Sequence, residues 1–304
     1  MSQEYIAEAK DIGIRIDRYL SERCADISRS YFQKLLKEEE VLVNGLPVKS
    51  NYKVSTGDRI QVTIPEAREP EIEPEKMNLD ILYEDKDIIL INKPKRMVVH
   101  PAAGHYTGTL VNGLMDHCRG DLSGINGVMR PGIVHRIDMD TTGVLIVCKN
   151  DMSHQSIADQ LKEHTITRKY YAIVHGNVKS EEGTVDAPIG RHPADRKKMS
   201  INQKNGKNAI THYRVLEHLK QFTYVECQLE TGRTHQIRVH MASIGHPLLG
   251  DAVYGPTKSP YHLTGQTLHA GVLGIIHPRS GAYMEFHAPL PEYFSDLLKK
   301  LRTT

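Results

Sequence analysis

The densest polar constellation in the chain is His135-Arg136-Ile137-Asp138-Met139-Asp140-Thr141-Thr142-Gly143, which follows Pro131-Gly132 and runs directly into the apolar residues 144–148. A polar loop abutting a buried strand is a fixed platform. On an extended backbone Arg136 and Asp138, two residues apart, share a face, where the guanidinium would keep the carboxylate ionised and aimed; a structural ion pair would read the same way. Asp140 joins that face only if the extended geometry persists into the Thr-Thr-Gly turn. Asp138 and Asp140 could also form the carboxylate couple of a glycoside hydrolase. Neighbours two apart on a short loop seldom straddle a sugar, however, and the chain has no tryptophan to stack on one.

The second constellation is Leu229-Glu-Thr-Gly-Arg-Thr-His-Gln-Ile-Arg-Val-His-Met241: a strand end, a glycine turn and a helix start. His235 and His240 invite a zinc reading. Ligands on one helical face need i,i+4 spacing, whereas five residues place these two about 140° apart. No Glu follows the first His, so the metalloprotease pattern is missing, and no metal is expected. Gly206-Lys207-Asn208 lacks the earlier glycine and the hydroxyl residue of a phosphate loop, and no Gly-x-Ser-x-Gly elbow occurs.

The elements that must position these residues follow from composition and periodicity. The 304 residues, 39% hydrophobic and 25% charged, describe a globular chain with room for two domains. No apolar run approaches the roughly 18 residues of a membrane span, and residues 1–9 do not read as an export signal. The expectation is a cytoplasmic protein with no membrane partner. Cys24, Cys118, Cys148 and Cys227 are scattered and suggest neither a disulfide framework nor a Cys-x-x-Cys site.

Residues 66–76 combine two prolines with alternating acids and read as a linker stretched by self-repulsion. Before it, Ile16, Tyr19 and Leu20 have helical spacing, and Ser28 could cap a second helix carrying Phe32, Leu35 and Leu36. A hairpin at Asn44-Gly45 and an alternating strand with Ile60, Val62 and Ile64 follow. Past the linker, residues 88–92, 144–148, 170–174, 209–215 and 225–229 read as strands. A helix carries Ile157 and Leu161 after Asp151 or Ser153 as cap, and another follows the Gly232 turn. Helices do not alternate regularly with strands, so the class is α+β with a mixed, mainly antiparallel sheet. Charge is partitioned: residues 1–65 balance 10 basic against 10 acidic side chains, whereas residues 81–304 hold 27 against 21. The excess peaks between Arg191 and Lys207, a stretch suited to a phosphate backbone or to a solvated surface loop.

The order of elements in residues 13–65, with Arg15, Asp17, Ser28, Arg29 and Val41-Leu-Val-Asn-Gly, resembles the S4 RNA-binding domain. In that family the helix pair meets structured RNA, which assigns Arg15, Ser28, Arg29, Lys34 and Lys37 to RNA contact.

The whole chain resembles the RluA-type family of pseudouridine synthases. The residues are Asn92-Lys93-Pro94 with Val99-His100-Pro101, residues 135–143, Lys169-Tyr170 with Ala172-Ile173-Val174, residues 232–240, and Gln266-x-Leu268-His269-Ala270. With an S4-like domain in front, the architecture is similar to the branch that modifies large-subunit ribosomal RNA. The resemblance implies a catalytic domain over residues 77–304 that isomerises uridine to pseudouridine without a cofactor, acting as a monomer on ribosomal RNA or a ribosome precursor. Asp138 would be the reacting carboxylate, either as nucleophile on the sugar or as the base that begins glycal formation. Arg238 would pair with it, Arg136 would help extrude the nucleotide, and Tyr170 would stack on the base. His135, His235 and His269 would brace loops; Arg196 and Lys198, in the basic stretch, would meet RNA backbone, and Arg233 would either meet an RNA phosphate or support Arg238. Ile137 stands where the family usually has Leu, Thr142 where it often has Ser, and Arg96 where it commonly has Gly, which matters if that position needs positive φ.

Overall fold

The structure, a computed structural model, describes residues 2–24, 27–65, 72–102, 105–127, 130–195, 197–259 and 261–303. It divides into two compact units, residues 1–69 and 70–304.

In the first unit, β1 (Ser2–Ile6), α1 (Ile16–Arg23), α2 (Arg29–Lys37), β2 (Val41–Val43), β3 (Leu46–Pro47) and β4 (Arg59–Thr63) build a four-stranded sheet in the order β1-β4-β2-β3. Ile16, Tyr19 and Leu20 of α1 and Phe32, Leu35 and Leu36 of α2 pack in one cluster with Val41, Val43, Ile60 and Val62. The hydroxyl of Ser28 caps α2 by accepting the Tyr31 N–H at 3.3 Å. Asn44 and Gly45 both take positive φ, 51° and 80°, as a two-residue type I′ hairpin requires. Strand β1 lies before the expected start at residue 13. It is an edge strand with no fully buried side chain, so its sequence carries no clean alternation.

The second unit contains β5 (Ile81–Glu84), β6 (Ile88–Lys93), α3 (Leu110–Cys118), β7 (Thr142–Cys148), α4 (Asp151–Lys162), β8 (Thr167–His175), β9 (Glu182–Asp186), β10 (Ile189–Arg191), β11 (Met199–Ile201), β12 (Ile210–Leu219), β13 (Phe222–Leu229), α5 (Gln236–Ser243), β14 (Leu268–Ile276), β15 (Tyr283–His287) and α6 (Glu292–Thr303). Nine of the strands form one sheet, β5-β6-β7-β14-β8-β13-β12-β9, with β15 paired to β14. Among the described residues only β7 and β14 pair in parallel, at His269↔Thr142 and Ala270↔Gly143. This is the mixed, mainly antiparallel α+β domain that the irregular order of helices and strands predicts. All of β7 is buried, which explains why it reads as a continuous apolar run.

Of the stretch expected to be a linker, residues 66–71 lie outside the described residues. Residues 72–76 run along α3 instead of standing free: Ile72 is buried, Asn112 Nδ2 donates to Glu73 O at 2.9 Å, and Glu75 N donates to Asn112 O at 2.9 Å. The cap of α4 is Asn150, whose side chain accepts the Ser153 N–H at 3.0 Å, rather than Asp151 or Ser153. A cap needs extended backbone, and Asn150 has φ −145° whereas Asp151 is already helical. Among the described residues no helix is long and apolar enough to cross a membrane, and all four cysteines are free.

Candidate active site

The Asp138 loop is held by a gap in the sheet. Strand β6 covers one edge of β7 along its length, but β14 meets the other edge only at Thr142 and Gly143. Beyond that point the unpaired N–H groups of β7 find partners in the incoming loop. His135 Nε2 accepts from Ile146 N at 3.1 Å, and Gly132 O accepts from Cys148 N at 2.9 Å. A guanidinium nearby, Arg168, and the burial around it push the His135 pKa down to about 3, burial being the larger cause. The imidazole is therefore neutral and its lone pair stays available for this bond. A Cβ at Gly143, where φ is +109°, would collide with the Ala270 backbone, so only glycine admits the two strands at this distance.

Lys93, at the end of β6, is fully buried and donates from Nζ to Pro94 O at 2.8 Å, Met97 O at 2.8 Å and Met139 O at 3.0 Å. It ties the residue after Asp138 to the sheet. Burial lowers its pKa to about 7, with Asp140 and Asp138 opposing that change. Arg96 has φ 65°, the left-handed conformation that glycine would take without strain.

Asp138 lies on the wall of a cavity of about 500 Å³ that is also lined by Arg136, Tyr170, Arg233, His235 and Arg238. The carboxylate meets Arg238, whose Nη1 donates to Asp138 Oδ2 at 2.9 Å. The pairing of Asp138 with Arg136 expected from their spacing does not form. Residues 135–138 are irregular and lead into a turn closed by Thr141 N on Asp138 O at 3.0 Å, so alternation of faces does not apply. Arg136 is exposed and directs Nη1 to His100 Nε2 at 3.5 Å. Asp140 is not on the cavity wall, and a Cβ on Gly265 would touch its carboxylate. No carboxylate couple faces the cavity.

Arg238 is buried and is gripped from behind by Asp251, with Nε to Oδ2 at 2.6 Å and Nη2 to Oδ1 at 2.9 Å. Burial alone would favour the neutral guanidine, but Asp251 and then Asp138 more than offset it, and the group is held charged. The forked bond fixes the plane of the guanidinium, leaving Nη1 aimed at Asp138. Asp251 is the functional residue that sequence reasoning missed. In the chain it reads as an ordinary Gly-Asp turn after Leu248-Leu249, and only its approach to α5 gives it meaning.

Tyr170 projects from β8, 8% exposed, and its pKa is raised by burial, with Arg168 opposing and Asp138 reinforcing that change. His235 opens α5 with φ 57° and bonds Tyr254 Oη through Nδ1 at 2.8 Å. Tyr254 Oη also accepts from Met199 N at 2.8 Å, and His235 Nε2 lies 3.8 Å from Asp138 Oδ1. His240 bonds Thr211 Oγ1 and Ala187 O, both at 2.9 Å, so it shares no ligand geometry with His235. His269 Nδ1 meets the Thr142 hydroxyl at 2.9 Å, a contact that Thr and Ser make equally well. Ile137 is buried in the main core, where Leu would also fit.

The residues expected to meet RNA are dispersed. Arg15, Ser28, Arg29 and Lys34 are exposed and belong to the first unit. Arg15 and Arg29 both bond the fully buried Asp17, each with a shortest contact of 3.0 Å, and Gln33 adds a third donor at 2.7 Å. Lys34 lies 3.8 Å from Glu38, and the Ser28 oxygen serves the helix cap. Arg233 lines the cavity and donates from Nε to Asn208 O at 2.9 Å. Lys198 sits in the turn after Asp195, while Arg196 lies outside the described residues.

Comparison with known proteins places these features. The profile of the RNA pseudouridylate synthase family matches residues 87–243, and that of the S4 domain matches residues 14–60. The chain is 58% identical to the uncharacterized RNA pseudouridine synthase YlyB of Bacillus subtilis, over 95% of this chain and 94% of that one. It is 47% identical to ribosomal large subunit pseudouridine synthase D of Zymomonas mobilis subsp. mobilis, again over 95% and 94%. Among solved structures, human RNA pseudouridylate synthase domain containing 1 superposes with a TM-score of 0.57 at 27% identity, over 76% of this chain and 98% of that one.

Proposed function

The chain belongs to the RNA pseudouridylate synthase family, and on that premise we propose that it converts specific uridines of large-subunit ribosomal RNA, or of a ribosome precursor, with Asp138 as the reacting carboxylate. The observation that carries this reading is Asp138 held at 2.9 Å by Arg238 on the wall of a cavity of about 500 Å³. The reaction breaks the N1–C1′ bond, turns the base and joins C5 to C1′. The C5 proton leaves and N1 gains one, so no atom is gained or lost and no redox or energy cofactor is required. Asp138 acts as nucleophile or as base, and the hydrogen bond from Arg238 at 2.9 Å fixes where its carboxylate points.

Arg136, exposed beside the cavity, extrudes the target nucleotide, an event that costs a few kcal/mol of stacking, and Tyr170 stacks on the freed base. Arg15, Ser28, Arg29 and Lys34 with Arg196, Lys198 and Arg233 hold the RNA. The protein acts as a monomer, in the cytoplasm. The relatives named for the large ribosomal subunit support the choice of substrate. The test is incubation of the purified protein with unmodified large-subunit RNA in chelator, followed by pseudouridine mapping and by tritium release from uracil labelled at C5. Conversion at discrete uridines is expected. No conversion in RNA of any assembly stage refutes the proposal.

A further inference from the structure

Arg168 is a charged side chain of the cavity wall with no carboxylate partner among the described residues. It is 5% exposed, lines the cavity, and among the described residues no carboxylate lies within 4.0 Å of its guanidinium. Among the described residues its guanidinium makes one hydrogen bond, from Nη2 to Glu230 O at 2.6 Å, while Nε is buried without a partner there. Nη1 lies over Gly232, where a Cβ would come within 2.8 Å of it, so the glycine leaves the guanidinium its room. Burial lowers the Arg168 pKa, Tyr170 opposes that change, and Arg233, a cation like Arg168, reinforces it. Burial of an unpaired cation is strongly unfavourable, and a fold keeps one where a ligand brings the opposite charge.

We propose that Arg168, with Arg233 beside it, is an anion subsite that holds a phosphodiester group of the target nucleotide and so sets where the uridine stops relative to Asp138. This rests on the reading of the cavity as a nucleotide site. Arg168 and Tyr170 are alternate residues of β8, and both line the cavity that Asp138 lines. A base stacked on Tyr170 would thus have its sugar near Asp138 and a phosphate within reach of Arg168. The cavity, at about 500 Å³, lies within the roughly 300–1,000 Å³ range of small-ligand sites. Fork-like donors suit phosphate oxygens, and the orphaned Nε–H and free Nη1 supply them.

The test reads binding, independently of turnover. Calorimetric affinities for uridine 3′,5′-bisphosphate and for uridine are compared in the full-length parent, Arg168→Gln and Arg168→Lys. The parent should prefer the bisphosphate by about tenfold or more, Arg168→Gln should lose that preference, and Arg168→Lys should keep it within about threefold. Uridine itself should bind all three alike. A parent without the preference, or an Arg168→Gln that melts like the parent and retains it, overturns the proposal. Weaker uridine binding with the phosphate preference intact also overturns it, because the cation would then act on the base. Should both Arg168 variants unfold, Arg233→Gln decides, since its side chain is only partly buried: an unchanged preference there refutes the subsite. A parent that converts no uridine in RNA yet shows Arg168-dependent phosphate binding would instead refute the proposed function and leave the subsite standing.

Discussion

Asp138 and Asp251 contact the same guanidinium and are expected to fail differently. Asp138→Asn keeps volume and removes the charged oxygen that reacts, so turnover should fall by about 10³-fold or more while RNA affinity stays within about threefold. Single-turnover conversion and filter binding measure the two, and residual activity within tenfold of the parent would overturn the role given to Asp138. Asp251→Asn leaves Arg238 charged but replaces a forked ionic grip with one neutral acceptor. Loss of that support should lower kcat by about 10–100-fold with little change in KM, as for other groups that orient a reacting pair. An equal fall in RNA affinity would mean that Asp251 supports the fold instead.

Elements hold these residues through backbone contacts, and two of them can be tested. His135 supplies an acceptor to the edge of β7 that no strand covers, and its pKa of about 3 lies below the ordinary 6.5. Between those values the unfolded chain takes up a proton that the folded chain refuses, so this group lowers stability as pH falls from 6.5 towards 3, by up to about 1.4 kcal/mol per unit. His135→Gln retains an oxygen for the Ile146 N–H and does not titrate. It should cost about 1 kcal/mol at pH 7 and lose stability less steeply between pH 6.5 and 4.5 in urea titrations. Parallel pH profiles would refute a buried neutral imidazole. At Arg96, φ 65° strains any side chain, so Arg96→Gly should raise stability by about 0.5–1 kcal/mol, read as a higher urea midpoint at constant slope. A lower midpoint would mean that the arginine side chain contributes more than the turn loses.

For the whole molecule, every cavity residue belongs to the unit of residues 70–304, and the front unit carries the exposed Arg15, Arg29 and Lys34. A chain beginning at residue 70 should fold, convert short RNA, bind long RNA more weakly and show a shallower salt dependence. Each lost phosphate contact lowers the slope of log affinity against log salt by about 0.9 on duplex RNA-like backbones and less on single strands. Unchanged affinity, slope and modification sites would assign the front unit to something other than gripping substrate. A cut at Met77 is a worse choice, because it removes Ile72, Glu73 and Glu75 from α3. That shorter chain should melt lower than the one beginning at residue 70.

The sequence by itself determined what periodicity, turn chemistry and motif order can encode. The two helices and hairpin at the front, the buried strand β7, the α+β class and the candidates Asp138, Arg136, Tyr170 and Arg238 were legible because each rests on neighbours in the chain. The strand β1 escaped because an edge strand buries too little to alternate, and the tail of the supposed linker docks through main-chain hydrogen bonds that any residues could make. Only the tertiary structure decided which charge answers which. Local spacing offered Asp138 the neighbouring Arg136 and the family resemblance offered Arg238; the fold gives it Arg238, one hundred residues away, and steadies that arginine with Asp251. An irregular loop has no periodic face, and pairing across a sheet and a helix depends on distances that no local pattern records. The same holds for Arg168: by sequence one more basic residue ahead of the expected strand 170–174, it becomes a buried cation with no carboxylate partner among the described residues only when the sheet closes around it.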